Sequence, residues 1–346
     1  MEKLPEADLE WVFENIQNYL KNIRGQRLFI TGGTGFVGSW LVECLLHANK
    51  IIALDLHISI LSRDPLSFGK SYPHLVSDSA IELVKGDVRN LVSDGKFYDI
   101  VIHAATEASA KLNRENPLLM ADTIVDGTRN VLEFAKQVSA KRVLMLSSGA
   151  VYGRMDDVTH VKENRSSGPD PLNSYYTYAE SKRMAELLCA IYSKQFGLNI
   201  SVARLFAFVG PRLPLDAHFA IGNFIRDGLA GKSIQVSGDG KAMRSYLYAA
   251  ELVVWLLAIL VEGKMGRAYN VGSDQGISIL ELAKRVATSF TYHPDVNVAD
   301  KADGSNPISH YVPDISRANE ELGLRVNISL SDAISRTVVS HQSGTP

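Results

Sequence analysis

One segment near the amino end of the chain limits the possible folds more than any other. A short apolar run at residues 28–30 leads into a glycine-rich turn and then directly into a helical pattern, RLFITGGTGFVGSWLVECLL. In the spacing Gly32-x-x-Gly35-x-x-Gly38, the first glycine permits a tight turn. The second glycine lets a pyrophosphate approach the backbone, and the third lets the helix pack closely on the sheet. The segment therefore predicts a dinucleotide-binding turn.

The helix that follows this turn completes the predicted phosphate site. The first N–H groups of a helix have no partners within it, and the helix dipole places partial positive charge beside them. We therefore expect the dinucleotide to contact the turn and the first helical residues. The residues predicted to do so are Gly32, Thr34, Gly35, Phe36 and Val37.

The rest of the first 206 residues alternates between apolar strands and helices. Strand patterns occupy residues 58–62, 81–84, 99–103, 142–147 and 199–206. Helical patterns at 117–138 and 174–196 lie between them. Continuous apolar strands separated by helices are typical of a parallel sheet covered on both faces. The pattern predicts a Rossmann-like, doubly wound α/β fold.

Changes in the local sequence pattern divide the chain into three regions. Residues 1–25 are an N-terminal helical extension, with apolar residues at helical spacing over 4–23. We interpret this extension as a packing helix, with partner binding or dimerisation as the alternative. Residues 26–206 form the dinucleotide-binding domain, and 207–340 are richer in loops and form a smaller C-terminal substrate lobe. Some segments of that lobe can return to the sheet.

Composition narrows the partners and the compartment. With 36 Lys and Arg against 38 Asp and Glu, the net charge is −2, which argues against a nucleic-acid partner or a polybasic membrane surface. The apolar run at 252–261 is about half the length of a membrane span. The N-terminus has no signal-peptide pattern, and the two cysteines, Cys44 and Cys189, lie in helical patterns. We therefore expect a cytoplasmic protein without disulfides, and no cluster has the spacing of a metal site.

Two residues compete to contact the adenosine ribose of the dinucleotide. Asp55 lies near the offset at which an acidic residue favours NAD. Arg63 follows the strand pattern ISILS and precedes Asp64-Pro65, a good helix start, so it can face a 2′-phosphate or stack on adenine. We favour Arg63 because its strand-to-helix junction is better formed. After the next strand, Asp87 is placed to accept a hydrogen bond from the adenine amine, with Val88 beside it.

A second motif carries acid/base chemistry. Tyr178 and Lys182 are four residues apart and share one helical face. An ammonium beside a phenol favours phenolate and lowers the pKa of the tyrosine, which makes it usable near neutral pH. Ser147 and Ser148 end the strand pattern RVLML, which places Ser148 at the carboxyl edge of the sheet, where ligands bind in such folds. We therefore expect Ser148, Tyr178 and Lys182 to form a catalytic group.

These segments together resemble the extended short-chain dehydrogenase/reductase family, in its nucleotide-sugar epimerase/dehydratase branch. The resemblance covers about residues 26–325 and rests, in order, on TGGTGFVG, GDV, HAA, GTRNVLE, SSGAVYG, YAESK, GDG with RSYLY, and YNVGS. It implies a bound NAD or NADP and a nucleotide-diphosphate sugar held by the C-terminal lobe. It also implies a homodimer, usually formed through a helix bundle that includes the Tyr-Lys helix.

The resemblance assigns roles to several residues. Tyr178 would take the proton from the sugar C4 hydroxyl, Ser148 would orient the C4 oxygen, and Lys182 would hold the cofactor ribose and tune the tyrosine. Arg244 would meet the substrate diphosphate through a charge-assisted pair. The residues implied to line the cofactor from neighbouring strands are His103, Ala104, Ala105 and Ser147.

The sequence also departs from the pattern of this family. Members that remove water across C5 and C6 usually carry an Asp-Glu pair after the catalytic hydroxyl, and the related decarboxylases keep the glutamate. Here the two positions are Gly149 and Ala150, which leaves Gly149 only as a substrate-lining residue. Ala207 and Ile124 replace asparagines that are frequent in the family.

The loop at 211–223 also differs from the epimerase pattern. It offers His218 and Asn223 as candidates for contact with the substrate.

The remaining chemistry needs only the tyrosine and the cofactor. It is 4-epimerisation of a nucleotide sugar or reduction of a 4-keto sugar, and the sequence does not separate the two. One alternative is a 4,6-dehydratase whose unusual acid is Glu107 or Asp156. Another is a non-catalytic NAD(P)-sensing scaffold, against which the complete set of Ser148, Tyr178 and Lys182 argues.

Overall fold

A computed structural model describes residues 1–93, 95–106, 109–217, 219–299 and 308–343. The strands are β1 (Arg27–Thr31), β2 (His57–Ser62), β3 (Ile81–Lys85), β4 (Ile100–His103), β5 (Arg142–Ser148), β6 (Ile200–Leu205), β7 (Ala207–Val209), β8 (Ile234–Val236), β9 (Met243–Arg244), β10 (Tyr246–Tyr248), β11 (Arg267–Val271), β12 (Ile277–Ser278), β13 (Val296–Val298) and β14 (His310–Tyr311). The helices are α1 (Glu6–Leu20), α2 (Phe36–Ile52), α3 (Pro65–Ser71), α4 (Pro73–Val76), α5 (Ala110–Glu115), α6 (Pro117–Gln137), α7 (Thr177–Phe196), α8 (Ala220–Leu229), α9 (Ala249–Glu262), α10 (Ile279–Ala287), α11 (Ser316–Leu322) and α12 (Leu330–Ser343).

The main sheet has seven strands in the order β11-β6-β5-β4-β1-β2-β3. Every neighbouring pair in it is parallel. The order changes direction at β1, because β2 lies on one side of it and β4 on the other. In open sheets of this kind, ligands bind at the carboxyl ends of the strands beside such a change. The predicted Rossmann-like α/β fold is confirmed, and the glycine-rich turn lies at this crevice.

Helices cover both faces of the main sheet. On one face α6 and α7 pack against each other and against the central strands. On the other face α9 packs against β5, β6 and β11, with α2 beside it. All residues of α9 from Ala249 to Val261 are buried, which explains the apolar run seen in the sequence. Nowhere in the described part of the chain is there a helix long and apolar enough to cross a membrane.

The N-terminal helix α1 packs on α9 and α2, and its apolar side is buried. Its buried Asp8 accepts hydrogen bonds from the Tyr248 hydroxyl at 2.6 Å and from Arg336 in α12 at 2.9 Å. The helix is therefore joined to the segments after residue 206. These contacts favour the packing role over partner binding for α1.

The chain after residue 206 contributes to two parts of the structure. Strand β11 returns to the edge of the main sheet beside β6. The remaining strands form small sheets, β10-β7, β12-β9-β14 and β13-β8. In the middle one, β14 pairs with β9 so that Tyr311 lies opposite Arg244. This pairing brings a late segment of the chain to the carboxyl edge of β5.

Candidate active site

In the glycine-rich turn after β1, the fold requires Gly32 and Gly38, whereas Gly35 leaves space beside the backbone. Gly32 has φ of +71°, and a Cβ there would lie 2.5 Å from the backbone of Ala104 and Ala105. A Cβ on Gly38 would overlap the Gly32 carbonyl. At Gly35, a Cβ would meet, among the described residues, only the Gly32 carbonyl oxygen, at 3.5 Å. The space in front of Gly35 is therefore open to a ligand.

The turn fits the pyrophosphate of a dinucleotide. Gly35 is the N-cap of α2, and Phe36 and Val37 are its first residues. Their N–H groups have no carbonyl partner within the helix and can bind a phosphate. Thr34 lies in the turn before them. A side chain at residue 35 would fill the space that a phosphate needs. The residues present therefore fit NAD or NADP.

His103 at the end of β4 holds the next segment against this turn. Its ring nitrogens lie 2.8 Å from Thr31 Oγ1 and 3.2 Å from Thr128 Oγ1. Burial, with a smaller effect from the charge of Lys182, lowers the pKa of His103 to about 3. The ring is therefore neutral at physiological pH. Thr31 Oγ1 also accepts a hydrogen bond from the Ala105 N–H, so the backbone after β4 is fixed beside the turn.

The two ribose candidates lie at opposite edges of the sheet. Strand β2 ends at Ser62, so the exposed Arg63 follows its carboxyl end, and Asp64 caps α3 through the Ser67 N–H at 3.0 Å. Asp55 precedes β2, in a left-handed turn with φ of 55°, at the opposite edge of the sheet. The Asp55 alternative is therefore wrong, because the apolar residues before it belong to the last turn of α2.

Asp87 lies after β3 on the same edge as Arg63. The Arg89 guanidinium binds its carboxylate at 2.7 Å and 3.0 Å. This hydrogen bonding is the largest effect that lowers the pKa of Asp87, with a smaller contribution from the charge of Arg63. Val88 is buried and would touch a side chain placed at Gly127. Asp87 can therefore accept a hydrogen bond from the adenine amine only while its oxygens also accept from Arg89.

The three predicted catalytic residues lie at one edge of the sheet. Ser148 is the last residue of β5, and Tyr178 is in the first turn of α7, where its N–H binds Asn113 Oδ1 at 3.0 Å. Lys182 is buried one turn further along α7 and donates from Nζ to the Leu146 carbonyl at 2.8 Å. The ammonium is therefore anchored to the strand that carries Ser148.

The protonation of this group differs from the expectation. Burial raises the pKa of Tyr178, and hydrogen bonding with Ser148 only partly opposes the rise. Burial also lowers the pKa of Lys182 to about 8. The pKa of Tyr178 is therefore raised and not lowered as expected, because desolvation of the buried phenol is the largest effect on it.

Ser147 faces away from this group. Its hydroxyl donates to Glu186 in α7 at 2.6 Å, and Arg204 binds the same carboxylate at 2.6 Å. Arg204 also donates to the Tyr152 hydroxyl at 2.9 Å. This buried network fixes β5, β6 and α7 relative to one another. A cofactor contact from Ser147 would have to come from its backbone.

Tyr311 is a site residue that the sequence reasoning missed. Its hydroxyl lies 3.5 Å from Ser148 Oγ, and its ring packs against Phe206 at 4.7 Å between centroids. Arg244 lies 5.9 Å from the centre of the same ring. No pattern in the sequence marks Tyr311, because β14 has two residues and reaches the site only by pairing with β9.

Of the predicted substrate residues, Gly149 and Arg244 lie beside this tyrosine. A Cβ on Gly149 would lie 2.8 Å from both the Tyr311 hydroxyl and the Phe206 ring, so Gly149 is closely packed. Arg244 donates to the Met243 and Ser309 carbonyls. Asn223 lies in α8, where its Oδ1 accepts from Arg226 at 3.3 Å. His218 lies outside the described residues.

The acids considered for dehydration gain no support. Asp156 forms an ion pair with Arg154 at 2.6 Å. Glu107 lies outside the described residues. Ile124 is buried in α6, and Ala207 begins β7.

The glycine turn, the parallel sheet and the Ser148–Tyr178–Lys182 group define an extended short-chain dehydrogenase/reductase. A sequence profile of the NAD dependent epimerase/dehydratase family matches residues 28–272. The chain belongs to that family.

Relatives and solved structures agree with this assignment. The chain is 32% identical to UDP-glucuronic acid decarboxylase 6 of Arabidopsis thaliana, over 89% of this chain and 86% of the relative. It is similar to the dTDP-glucose 4,6-dehydratase DesIV of Streptomyces venezuelae, solved with NAD, at 25% identity and a TM-score of 0.78, over 92% of this chain and 97% of that one. It is also similar to the UDP-N-acetylglucosamine 4-epimerase of Methanobrevibacter ruminantium, at 25% identity and a TM-score of 0.79, over 93% of this chain and 100% of that one.

Proposed function

We propose that this protein is an NAD(P)-dependent enzyme that acts on a nucleotide-diphosphate sugar by hydride transfer at C4, as a 4-epimerase or a 4-keto-sugar reductase. The observation that carries the proposal is the position of Ser148, Tyr178 and Lys182 beside the glycine turn, with Gly149 and Ala150 where an acid pair would stand. Tyrosine and cofactor suffice for both reactions, whereas elimination of water needs a further acid and base.

The side chains have distinct tasks in this reaction. A bound nicotinamide supplies the hydride acceptor or donor. Tyr178 accepts the proton of the C4 hydroxyl during oxidation and returns it during reduction. Ser148 donates a hydrogen bond to the C4 oxygen, and Lys182, anchored to the Leu146 carbonyl, holds the cofactor ribose. Arg63 contacts the adenosine end of the cofactor.

The substrate diphosphate is assigned to Arg244. Its guanidinium is largely buried, and burial lowers its pKa from the usual value without making it neutral. A buried cation with two backbone carbonyls as partners gains from an anionic ligand, because a charge in a low-dielectric environment is stabilised by a counter-charge.

A second candidate is decarboxylation of UDP-glucuronic acid, which the curated relatives favour. Oxidation at C4 of a glucuronate makes a β-keto acid, which loses CO₂ with the electron pair passing to C5. A proton is then added at C5, and the hydride returns to C4. Ala150 argues against this candidate, because it stands where the decarboxylases keep the glutamate and its methyl group can neither accept nor donate a proton.

One set of assays separates these functions. The purified protein is incubated with UDP-, dTDP-, GDP- and CDP-sugars, including 4-keto forms, and with NAD(P) or NAD(P)H. Sugar products are followed by NMR, nicotinamide by absorbance and CO₂ by release of label. We expect C4 epimers, or consumption of NAD(P)H with a 4-keto sugar. Release of CO₂ from UDP-glucuronic acid would favour the second candidate.

The Tyr178→Phe variant is the matched control for these assays. Loss of the phenolic proton is expected to lower kcat by about 10²–10⁴-fold, with cofactor binding retained. Wild-type turnover in this variant would overturn the catalytic assignment. Cofactor binding without turnover of any sugar by the wild type would favour the NAD(P)-sensing scaffold.

The proposal includes a homodimer formed through α7. Met184, Leu187 and Ile191 are exposed apolar residues on one side of this helix. Light scattering is expected to give twice the mass of the chain, and a monomer at micromolar concentration would contradict it. Cys44 and Cys189 are buried free thiols, which agrees with the proposed cytoplasmic location.

A further inference from the structure

Tyr311 reaches the catalytic serine from a part of the chain remote from both catalytic motifs. Its hydroxyl is 3.5 Å from Ser148 Oγ and 3.5 Å from the Leu205 carbonyl oxygen. The phenol has one proton, so it can donate to only one of these two acceptors at a time. The choice decides where the Ser148 proton points.

The place of Tyr311 depends on the absence of a side chain at residue 149. A Cβ on Gly149 would lie 2.8 Å from the Tyr311 hydroxyl and 2.8 Å from the Phe206 ring. The Phe206 and Tyr311 rings pack against each other. The glycine and the tyrosine are therefore complementary, because the phenol fills the space beside Ser148 that a larger residue would take.

The hydrogen-bonding capacity of Ser148 is limited to one proton and two acceptor sites. The Ala150 N–H donates to Ser148 Oγ at 3.2 Å and uses one acceptor site. A proton from Tyr311 would use the second. The serine proton would then be left for Tyr178 or for a substrate oxygen at the same place.

We propose that Tyr311 is a positioning residue that donates its hydroxyl proton to Ser148 and thereby orients Ser148 as a hydrogen-bond donor toward Tyr178 and the sugar C4 oxygen. This inference rests on the proposed function for the identity of the C4 oxygen. Its structural part, the order Tyr311 to Ser148 to Tyr178, concerns side chains of this chain alone. It adds a residue from the C-terminal lobe to the hydrogen-bonded group.

The surroundings of Tyr311 support its role as a donor. Burial strongly raises the pKa of Tyr311, and the charge of Tyr178 raises it further, so the phenol keeps its proton at neutral pH. Hydrogen bonding with Ser148 lowers the pKa of both tyrosines, which fits a serine placed between them. The Arg244 guanidinium is the cation nearest to the Tyr311 ring among the described contacts.

The first test uses NMR of the full-length protein labelled at tyrosine Cζ, without substrate. The ionised fraction of Tyr178, assigned with Tyr178→Phe, is compared in wild type and Tyr311→Phe up to the highest pH at which circular dichroism is native. Without the proton from Tyr311, Ser148 is no longer held with its own proton toward Tyr178. We therefore expect Tyr178 to ionise at higher pH in Tyr311→Phe.

The sign of this shift decides the proposal. Ionisation of Tyr178 at lower pH in Tyr311→Phe would mean that Ser148 donates to Tyr311 in the wild type, which overturns it. An unchanged titration would overturn it too. Tyr192→Phe is the matched control, because it removes a tyrosine hydroxyl from α7 that bonds Glu133 instead, and it is expected to leave Tyr178 unchanged.

The second test is a double-mutant cycle on single-turnover hydride transfer. Tyr311→Phe is expected to slow transfer by about 10-fold in the wild type and by less than about 2-fold in Ser148→Ala, since the tyrosine acts through the serine. Equal effects in the two backgrounds would overturn the proposal. If the wild type transfers no hydride with any nucleotide sugar, the proposed function fails, and the NMR titration still decides the role of Tyr311.

Discussion

The cofactor side and the substrate side of this site are built in different ways. The cofactor side uses short segments that each follow a strand of the main sheet, such as the turn after β1 and Arg63 after β2. The substrate side combines Gly149, Phe206, Arg244 and Tyr311, which come from four separate segments. A local motif determines the first, whereas tertiary packing determines the second.

This difference teaches where sequence motifs carry information. A dinucleotide phosphate is recognised by backbone N–H groups, so the sequence needs glycines and a helix start at a fixed spacing. A sugar is recognised by side chains at a pocket wall. The lobe that supplies them can bring in a residue such as Tyr311 through a strand of two residues.

The largest expected effect tests the cofactor side with two glycines of the same turn. In Gly32→Ala, the Cβ would be forced against the Ala104–Ala105 backbone at a left-handed φ, so we expect a loss of roughly 3 kcal/mol in the free energy of unfolding. Urea unfolding measures this loss. An unchanged stability would show that the turn is not fixed as described.

Gly35→Ala is the matched control for this prediction. Its Cβ would make ordinary contact with the Gly32 carbonyl oxygen, so we expect near-native stability with weaker binding of NAD and NADP. Calorimetric titration measures the affinity. Equal losses of stability in both variants would break the distinction between the fold glycine and the ligand glycine.

Much of the fold and of the cofactor side could be predicted from the sequence, because buried strands and helices leave recognisable apolar patterns along it. Each predicted strand of the main sheet lies within two residues of an observed one, since buried parallel strands are continuously apolar. The Asp55 alternative failed because Ile51 and Ile52 suggest a strand, yet α2 continues to Ile52 and Ala53 turns the chain with φ of 45°.

The rest of the site could not be predicted because it depends on burial and on contacts between residues that are far apart in the sequence. The effect of Lys182 on Tyr178 was expected from their spacing, but desolvation of both groups has no signature in a sequence. Tyr311 and the pairing of Ser147 with Glu186 depend in the same way on how β14 and α7 pack.

The pH dependence of the free energy of unfolding tests the cofactor side, because the buried neutral His103 lies there. His103 has a pKa of about 3 in the folded protein, so between the ordinary value of 6.5 and about 3 the unfolded chain binds more protons. Stability is therefore expected to fall by up to about 1.4 kcal/mol per pH unit as pH decreases through this window.

Urea unfolding of His103→Gln at several pH values measures this contribution. The variant loses ring contacts, so it is expected to be less stable at pH 7 but to lose stability less steeply between about pH 6 and pH 4. His57→Gln, which changes an exposed histidine, is expected to keep the wild-type slope. An unchanged slope in His103→Gln would contradict the buried neutral ring.

On the substrate side, Gly149→Ala tests the fit between Gly149, Phe206 and Tyr311. The added methyl group would overlap the Phe206 ring and the Tyr311 hydroxyl, and overpacking of this kind costs about 1–3 kcal/mol. Thermal unfolding measures the loss, and Gly149→Ala combined with Phe206→Leu is expected to recover part of it. Recovery should be absent if the strain comes from the backbone of residue 149.

The smallest expected effect concerns the choice between the two cofactors. Arg63 is exposed after β2, within reach of a charge interaction with Asp87, and Asp55 is at the opposite edge of the sheet. An exposed guanidinium near a 2′-phosphate contributes a charge-assisted hydrogen bond weakened by solvent, so Arg63→Ala is expected to weaken NADP binding by about 10-fold and NAD binding much less.

Titration of both cofactors at low and high salt measures this difference, which should shrink at high salt. Equal losses for NAD and NADP would mean that Arg63 contacts the adenine ring they share, and the cofactor side would then lack a 2′-phosphate contact from β2.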